Sequence, residues 1–373
     1  MKEKNTAIEK LEEAFSFLKD NFFFLINCYN KKMLKLDVLI SGSTGYIGIE
    51  LVKILCKHKN VTIKYLCGNS SVGKKISYFD KSLSKKKLPK ITKFQNNFLK
   101  DVDVIFTALP NGEAQKISKY LSNKNILIDI AADFRLNSAK NYLKWYKKKH
   151  LAKMNINKSI YSLPEFSENE LKKYNIISCP GCYPTSILLP LVPLIKKKII
   201  NLNNIIIDSK SGYSGAGRSI HKKYKNLNLY ESIKAYGIGF HRHNSEIEQE
   251  IKKIIKNKTF NITFTPHLTP MFRGILSTIY IETKNNYNLN DIIKVIKKNF
   301  TNKKFVRIKK ANSLISTNDV INTNYCNISV CNTKYKNKFV ILSAIDNLIK
   351  GGSGQAVQNM NIKFNLPQST GLL

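Results

Sequence analysis

The first third of the chain alternates short apolar runs with segments whose apolar residues recur at helical spacing. The run LDVLI (36–40) ends in a glycine-rich turn, and YIGIELVKILCKH (46–58) follows with apolar residues three and four positions apart. Strands that alternate with helices indicate βαβ units and a parallel sheet, with ligands bound beyond the carboxyl ends of the strands. The pattern predicts an α/β domain, whose further strands are VTIKYLCG (61–68), VDVIFTALP (102–110) and NILIDIAADF (125–134).

After residue 200 the pattern changes to longer, partly alternating strand candidates separated by basic helices. NDIIKVIKKNF (290–300) is one such helix, and GGSGQAVQNMNIKF (351–364) combines a glycine-rich entry with helical spacing. Long strands with helices between them are typical of an α+β domain with a mixed or antiparallel sheet. The predicted strands are NIIIDSKSGYSGAG (204–217), TFNITFTPHL (259–268), GILSTIYIET (274–283) and KFVILSAIDN (338–347).

Composition fits two folded domains, because the chain has 373 residues of which 43% are apolar. The net charge of +37 raises the question of a nucleic-acid or membrane partner. The lysines are dispersed among abundant Asn and Ile rather than concentrated in one stripe, and an A/T-rich genome explains such a composition without a partner. We therefore expect neither nucleic acid nor membrane as a partner.

The first 35 residues are predicted to form an amphipathic helical extension, or to precede a natural start at Met33. Their apolar run FFFLINCY (22–29) is far shorter than the roughly 20 residues that a membrane span needs, and they show no leader pattern. The seven cysteines, an odd number at irregular spacing, do not form the pattern of a disulfide framework. We expect a reducing, cytoplasmic location.

The turn after the first predicted strand carries a phosphate-binding pattern. In SGSTGYIG (41–48) three glycines recur at intervals of three, directly after a strand and at the start of a helix. Glycine permits the tight turn and close approach to a diphosphate, and the helix N-terminus presents unpaired N–H groups to the anion. The pattern predicts a Rossmann-type dinucleotide-binding domain. The predicted contacts are Gly42, Ser43, Thr44, Gly45, Tyr46 and Gly48.

The segment that follows the second strand favours NADP(H) over NAD. An NAD-specific fold places an acidic residue here to bind the ribose 2′-hydroxyl. This chain instead has CGNSSVGKKIS (67–77), in which Ser70, Ser71, Lys74 and Lys75 offer the hydroxyl and cationic groups that suit a 2′-phosphate. A solvated loop is the alternative.

The segment SCPGCYPTS (178–186) contains Cys179 and Cys182 in C-x-x-C spacing, and an apolar helical run follows. By itself this spacing allows a redox pair, half of a zinc site, a buried inert cysteine or a single nucleophile. A thiol at a helix N-terminus is expected to have a lowered pKa, which favours the thiolate nucleophile. Together with a nicotinamide fold, a nucleophilic Cys182 indicates acyl-thioester chemistry.

The segment GFHRHNSEIEQE (239–250) concentrates further chemistry. A histidine could act as acid/base partner of the thiol, Arg242 could bind a substrate anion, and a glutamate could orient the imidazole. His241 and His243 with nearby carboxylates could also bind a metal, but no local residue completes a ligand set, so we predict none. A polar loop leading into an amphipathic helix is the alternative.

Together these segments resemble the N-acetyl-γ-glutamyl-phosphate reductase family, from about residue 36 to residue 373. The resemblance implies a fold like that of the glyceraldehyde-3-phosphate dehydrogenases and an NADPH-dependent reduction of N-acetyl-γ-glutamyl phosphate to the semialdehyde, through a Cys182 thioacyl intermediate, in arginine biosynthesis. It rests on GSTGYIG, TALPNGEAQ, DIAADFRL, YSLPEF, PGCYPT, SGYSGAGR, HRHNSEIEQE, PHLTPMFRGI and DNLIKGGSGQAVQNMN.

The resemblance also implies roles for individual residues. His241 is the first candidate for the general acid/base and His243 the second, with Glu246 orienting the imidazole. Cys179 stands where the family commonly has a residue without a thiol, which leaves a redox role open. The candidates for binding phosphate or carboxylate are Ser211, Ser214, Arg218 and Arg242, and the further cofactor contacts are Pro110, Asn347 and Gly352.

The implied organisation is an N-terminal extension (1–35), an NADP-binding domain (36–182 and 348–373) and a catalytic and dimerisation domain (183–347). A homodimer or homotetramer acting on a small-molecule substrate is expected. Two alternatives stay open at this point: a reductase of another acyl phosphate, resembling aspartate-semialdehyde dehydrogenase, and a basic nucleic-acid-binding protein on a dehydrogenase scaffold.

Overall fold

Two seven-stranded sheets organise the part of the chain that the structure, a computed structural model, describes: residues 34–218, 231–256, 259–284 and 287–373. Most of the predicted N-terminal extension lies outside these ranges. The first sheet is built from residues 36–178 and the second from residues 205–345. This arrangement confirms the predicted α/β fold with a Rossmann-type domain and an α+β domain.

The first sheet has the strand order β3-β2-β1-β4-β5-β7-β6. The pairs β1/β4, β4/β5, β5/β7, β6/β7 and β2/β3 are all parallel, as the alternation of strands and helices predicts. The strands are β1 (Leu36–Ser41), β2 (Val61–Cys67), β3 (Ile91–Thr92), β4 (Val104–Thr107), β5 (Ile126–Asp129), β6 (Ser159–Tyr161) and β7 (Ile176–Ser178). The helices around it are α1 (Tyr46–Leu55), α2 (Glu113–Ser118), α3 (Ala139–Tyr146), α4 (Lys153–Ile156) and α5 (Pro164–Leu171).

The second sheet is mixed, with the order β12-β13-β14-β11-β8-β10-β9. The central strands β8, β11 and β14 pair antiparallel, whereas β10 runs parallel to β8. Its strands are β8 (Ile205–Gly212), β9 (Lys234–Ala235), β10 (Ile262–Thr269), β11 (Ile275–Glu282), β12 (Val306–Ile308), β13 (Cys326–Asn332) and β14 (Lys338–Ile345). The remaining helices are α6 (Cys182–Lys196), α7 (His243–Ile255), α8 (Leu289–Asn299) and α9 (Gly354–Lys363).

Helix α6 is the centre of the largest core. It is apolar on all sides, which is typical of a helix enclosed by protein. Residues 183–195 are all buried, and the apolar side chains among them pack with those of the second sheet and of α7 and α8. Since Cys182 is the first residue of α6, this burial fixes the position of the candidate nucleophile.

Arg273, in the loop between β10 and β11, joins the second sheet to the helix that follows the glycine-rich turn. Its guanidinium donates to Glu50 Oε1 of α1 at 2.7 Å and to Asp346 Oδ2 at 3.2 Å. Asp346 also accepts from the backbone N–H groups of Leu348 and Ile349. One largely buried cation therefore ties α1 to the turn that follows β14.

None of the helices in the described ranges combines the length and the apolar character that crossing a bilayer requires.

We expect Arg273→Met to lower the free energy of unfolding by about 3 kcal/mol, because it leaves the fully buried Asp346 carboxylate without its cation. The urea midpoint measures the change. Lys294→Met, which alters an exposed lysine of α8, is the control and should stay within about 0.5 kcal/mol of the wild type. A wild-type midpoint for Arg273→Met would contradict the structural role of this cation.

Candidate active site

The glycine-rich turn lies where β1, β2 and β4 end. The backbone N–H groups of Gly42 and Ser43 both donate to the carbonyl of Cys67, at 3.0 and 3.1 Å. Gly42 has φ +86°, and a side chain there would overlap the carbonyl of Ala108. The turn leads directly into α1, whose first turn contains no acidic residue. The N-terminus of α1 thus suits the diphosphate of a dinucleotide.

The other predicted cofactor residues are distributed around this turn. Ser70 and Ser71 follow β2, with Ser70 exposed and Ser71 buried. Pro110, after β4, lines the main cavity described below. Asn347 also lines it, while its side chain donates to Ser214 Oγ at 2.9 Å and accepts from the N–H of Gly274.

A cavity of about 550 Å³ joins the glycine-rich turn to Cys182. Its lining includes Gly45 and Tyr46 at one end and Gly181, Cys182 and His243 at the other. Gly351 lies against Cys182, and the next residue, Gly352, packs against Ile47 of α1. No aspartate or glutamate is among the described lining residues, whereas four cationic residues are: Arg135, Lys148, Arg218 and Arg242. The cavity therefore suits anionic ligands.

Cys182 begins α6, directly after Gly181. The helix terminus predicts a lowered thiol pKa, but that expectation is wrong for this structure. Burial raises the pKa of Cys182 to about 11, and the nearby Arg135 guanidinium only partly opposes the rise. Desolvation of the thiolate outweighs the helix terminus.

Cys179 is buried in the wall of the site rather than in the cavity. Its thiol accepts from Asn359 Nδ2 at 3.6 Å, and burial raises its pKa to about 12. Cys179 and Cys182 are both free. Because Cys179 is buried in the wall and outside the cavity, a proton donor or acceptor for Cys182 must come from other residues.

The Arg135 side chain connects most of the groups around Cys182. Its Nη1 donates to Glu246 Oε1 at 3.0 Å, and its Nε donates to the carbonyl of Cys179 at 2.9 Å. Glu246 Oε2 accepts from the Gly181 N–H at 2.8 Å and from the Tyr161 hydroxyl at 3.1 Å. Arg135 and Glu246 thereby hold the backbone on the N-terminal side of Cys182.

His243 faces the cavity, whereas His241 does not line it. The Nε2 atom of His243 is 3.5 Å from Arg135 Nη1 and 3.8 Å from Glu246 Oε1. A side chain added at Gly181 would reach within 2.5 Å of this nitrogen, so His243 lies next to the backbone that precedes Cys182. Burial, reinforced by nearby cationic groups, holds the pKa of His243 well below its ordinary value.

His241 lies just before α7, packed among aromatic rings. Its ring centroid is 5.6 Å from that of Tyr183, 5.5 Å from Tyr236 and 4.7 Å from His243. Its Nδ1 accepts from the backbone N–H of His243 at 3.2 Å. Burial, followed by the charge of Arg242, lowers the pKa of His241 to about 4.

Three of the four predicted anion-binding residues line the cavity: Ser214, Arg218 and Arg242. Arg218 stacks over the Tyr46 ring at 4.8 Å, at the cofactor end. Ser211 is buried and its hydroxyl donates to the Gly212 carbonyl, so it contributes to the wall rather than to the lining.

Sequence reasoning missed Arg135 and Lys148. Arg135 lies within DIAADFRL, directly after a predicted strand. Because ligands bind beyond the carboxyl ends of such strands, this position could have identified Arg135 as a site residue. Lys148 is one of many dispersed lysines, so no local pattern distinguishes it. Among the residues that the structure describes, no three His, Cys, Asp or Glu side chains are grouped so that they could hold a metal ion.

Comparison with known proteins assigns a family to each of the two domains that form the cavity. The family description "Semialdehyde dehydrogenase, NAD binding domain" matches residues 37–174, and "Semialdehyde dehydrogenase, dimerisation domain" matches residues 182–347. Among solved structures, aspartate semialdehyde dehydrogenase II of Vibrio cholerae is similar, with a TM-score of 0.64 and 16% identity over 89% of this chain and 98% of that chain. At this identity the likeness shows the fold.

Full-length relatives are more informative. The N-acetyl-γ-glutamyl-phosphate reductase of Desulforamulus reducens is 40% identical and is aligned over 91% of this chain and 98% of its own length. That of Thermoanaerobacter pseudethanolicus is 43% identical, over 89% of this chain and 96% of its own. The chain therefore belongs to the N-acetyl-γ-glutamyl-phosphate reductase family of oxidoreductases, built from the NAD-binding and dimerisation domains of the semialdehyde dehydrogenases.

Proposed function

We propose that this chain reduces N-acetyl-γ-glutamyl phosphate to N-acetylglutamate semialdehyde with NADPH, and that Cys182 is the nucleophile. The proposal rests on one cavity, whose lining includes Cys182, His243, part of the glycine-rich turn and four cationic side chains. Both ligands of the reaction are anionic, which matches a lining without carboxylates. NADPH held at the turn would supply the hydride that reduces the acyl carbon.

In the first step the Cys182 sulfur attacks the acyl carbon of the substrate. A carbon–sulfur bond forms, the carbon–oxygen bond to phosphate breaks, and phosphate leaves with the bonding electron pair. Because the thiol pKa is about 11, little thiolate exists at neutral pH and a base must accept the thiol proton. The resulting thioester accepts a hydride far more readily than a carboxylate does.

We assign the acid/base role to His243 in preference to His241, because His243 lies beside Gly181 and lines the cavity. Its low pKa keeps the imidazole neutral and able to accept a proton. The proton that His243 took from the thiol passes to the oxygen of the thiohemiacetal that reduction forms, and His243 then takes this hydroxyl proton back. The carbon–sulfur bond then breaks, the aldehyde leaves, and the proton returns to the Cys182 sulfur.

We assign Glu246 a positioning role. Its carboxylate is closer to Arg135 Nη1, at 3.0 Å, than to His243 Nε2, at 3.8 Å. It therefore holds Arg135 and the Gly181 N–H rather than orienting the imidazole directly. Arg135 supplies positive charge near the thiol. Ser214, Arg218 and Arg242 remain the candidates for binding phosphate and carboxylate, and Ser211 supports the wall behind them.

We propose a homodimer formed through the open face of the second sheet. Ile206 of β8 and Tyr280 of β11 are register partners on this face and are 42% and 44% exposed. An exposed apolar pair in the middle of a sheet is typical of an interface. The match of residues 182–347 to a dimerisation domain supports the proposal.

The domain boundaries and the location are also proposals. We keep an NADP-binding domain at 36–182 and 348–373 and a catalytic domain at 183–347, supported by the separation of the strands into two sheets. A reducing, cytoplasmic location is supported by the cysteines of the described ranges, all six of which are free.

The activity is tested in the reverse direction with purified protein, NADP⁺ and phosphate. N-acetylglutamate semialdehyde should support phosphate-dependent NADP⁺ reduction, and aspartate semialdehyde should not, because the family match is to the N-acetylated substrate. Absorbance of NADPH measures the rate. Equal rates with both aldehydes would overturn the substrate assignment in favour of a broader acyl-phosphate reductase.

The nucleophile is tested with Cys182→Ser, which should lower kcat at least about 10³-fold because the thioester cannot form. Cys179→Ser is the matched control and should retain most of the activity. In the wild type, alkylation of Cys182 by iodoacetamide, followed by peptide mass spectrometry, should rise about tenfold per pH unit from pH 7 to 9, since the pKa lies above this range. Loss of activity in Cys179→Ser alone would contradict the assignment of the nucleophile, and an alkylation rate independent of pH would contradict the raised thiol pKa.

The dimer is tested with Ile206→Lys, which puts a charge on the open sheet face and should convert dimers to monomers. Light scattering coupled to size-exclusion chromatography measures the mass. Leu314→Lys alters another exposed apolar residue, at 89% exposure, outside any strand. It should leave the mass unchanged. A dimeric Ile206→Lys variant would refute this interface.

A further inference from the structure

Lys148 is a cation of the active-site cavity whose hydrogen-bonding capacity is mostly unused. Arg135 is occupied by Glu246 and by the carbonyls of Cys179 and Ile130. Lys148 has a single hydrogen bond within the described residues, to the carbonyl of Asn111 at 3.3 Å. An ammonium group has three N–H donors, so two remain for a ligand.

The segment that carries Lys148 is fixed on both sides. Lys147 ends α3 in the left-handed conformation, with φ 56°, and its N–H donates to the carbonyl of Leu143 at 3.0 Å. Two residues after Lys148, the His150 ring bonds to the carbonyl of Asp133 at 2.8 Å. A non-glycine residue in the left-handed region is uncommon and costs free energy, so packing determines this turn. The turn directs Lys148 to the cavity wall, whereas Lys147 and Lys149, which are exposed like Lys148, do not line the cavity.

The segment that contains Asn111, the acceptor of the Lys148 hydrogen bond, is also fixed by hydrogen bonding. Asn111 belongs to the loop after β4, and the next residue, Gly112, donates its N–H to the Asp133 carboxylate at 2.7 Å. Asp133 is fully buried and its carbonyl bonds to His150. Asp133 therefore anchors both segments that Lys148 joins, which fixes the backbone from which the lysine side chain extends to the cavity wall.

We propose that Lys148 binds a phosphate group of a ligand in this cavity. A neutral carbonyl at 3.3 Å is a weaker acceptor than a phosphate oxygen, with which an ammonium forms a shorter, charge-assisted hydrogen bond. The phosphate belongs to the dinucleotide or to the acyl phosphate, both of which require anion binding here. This inference rests on the proposed function and adds a ligand-binding residue to it.

The test compares Lys148→Met with Lys149→Met, which removes a charge from the adjacent exposed residue. In the reverse reaction, NADP⁺, phosphate and aldehyde are varied separately. Lys148→Met should raise the KM of either NADP⁺ or phosphate about tenfold, as expected for loss of one charge-assisted bond. The KM that rises identifies the source of the phosphate. The aldehyde KM should not change, and Lys148→Arg should restore most of the affinity.

Two outcomes would overturn the proposal: unchanged KM values for both NADP⁺ and phosphate in Lys148→Met, or an equal rise in Lys149→Met, which would indicate general surface charge. A second readout does not depend on turnover. The rise in Tm caused by NADP⁺, or by inorganic phosphate, should shrink in Lys148→Met but not in Lys149→Met. If the wild type lacks the reductase activity, the proposed function fails, and the Tm shifts still decide the role of Lys148.

Discussion

The active site depends on the buried ion pair between Arg135 and Glu246. The two residues come from different parts of the fold: Arg135 follows β5 of the first sheet, and Glu246 lies in the first turn of α7, which packs on the second. An unpaired charge at either position would be strongly unfavourable, so the pair constrains how these elements meet. Other hydrogen bonds of the pair go to the backbone of Cys179 and Gly181, on the N-terminal side of Cys182.

This constraint explains the chemistry of the thiol. The backbone before Cys182 is held by Arg135 and Glu246, and the residues after it are buried in the core as helix α6. The thiol is therefore fixed at a helix start but partly desolvated, and desolvation raises its pKa. Such a thiol is well oriented yet protonated at neutral pH. For the proposed attack on an anionic acyl phosphate, a protonated thiol needs a base and nearby positive charge, which the neutral His243 in the same cavity and Arg135 offer.

The periodic parts of the fold could be predicted from the chain, and the short or polar parts could not. The runs that became β1, β2, β4, β5, β8, β10, β11 and β14 are apolar or alternating, and their predicted ends differ from the observed ones by a few residues. β13 (CNISVCN) was missed because it buries Asn327 and Ser329 among its apolar residues, which conceals the pattern. β3, with two residues, and β6 and β7, with three each, are too short to carry a period.

The sequence alone determined the sheet classes, the glycine-rich turn and the segments that carry the chemistry, because each depends on residues close together in the chain. Tertiary structure decided which members of those segments meet. His241 and His243 are two positions apart, and only the packing of His243 against Gly181 shows that it, and not His241, lines the cavity with Cys182. Arg135 and Glu246 are 111 positions apart and meet only through packing. The raised thiol pKa likewise follows from burial, which local spacing does not specify.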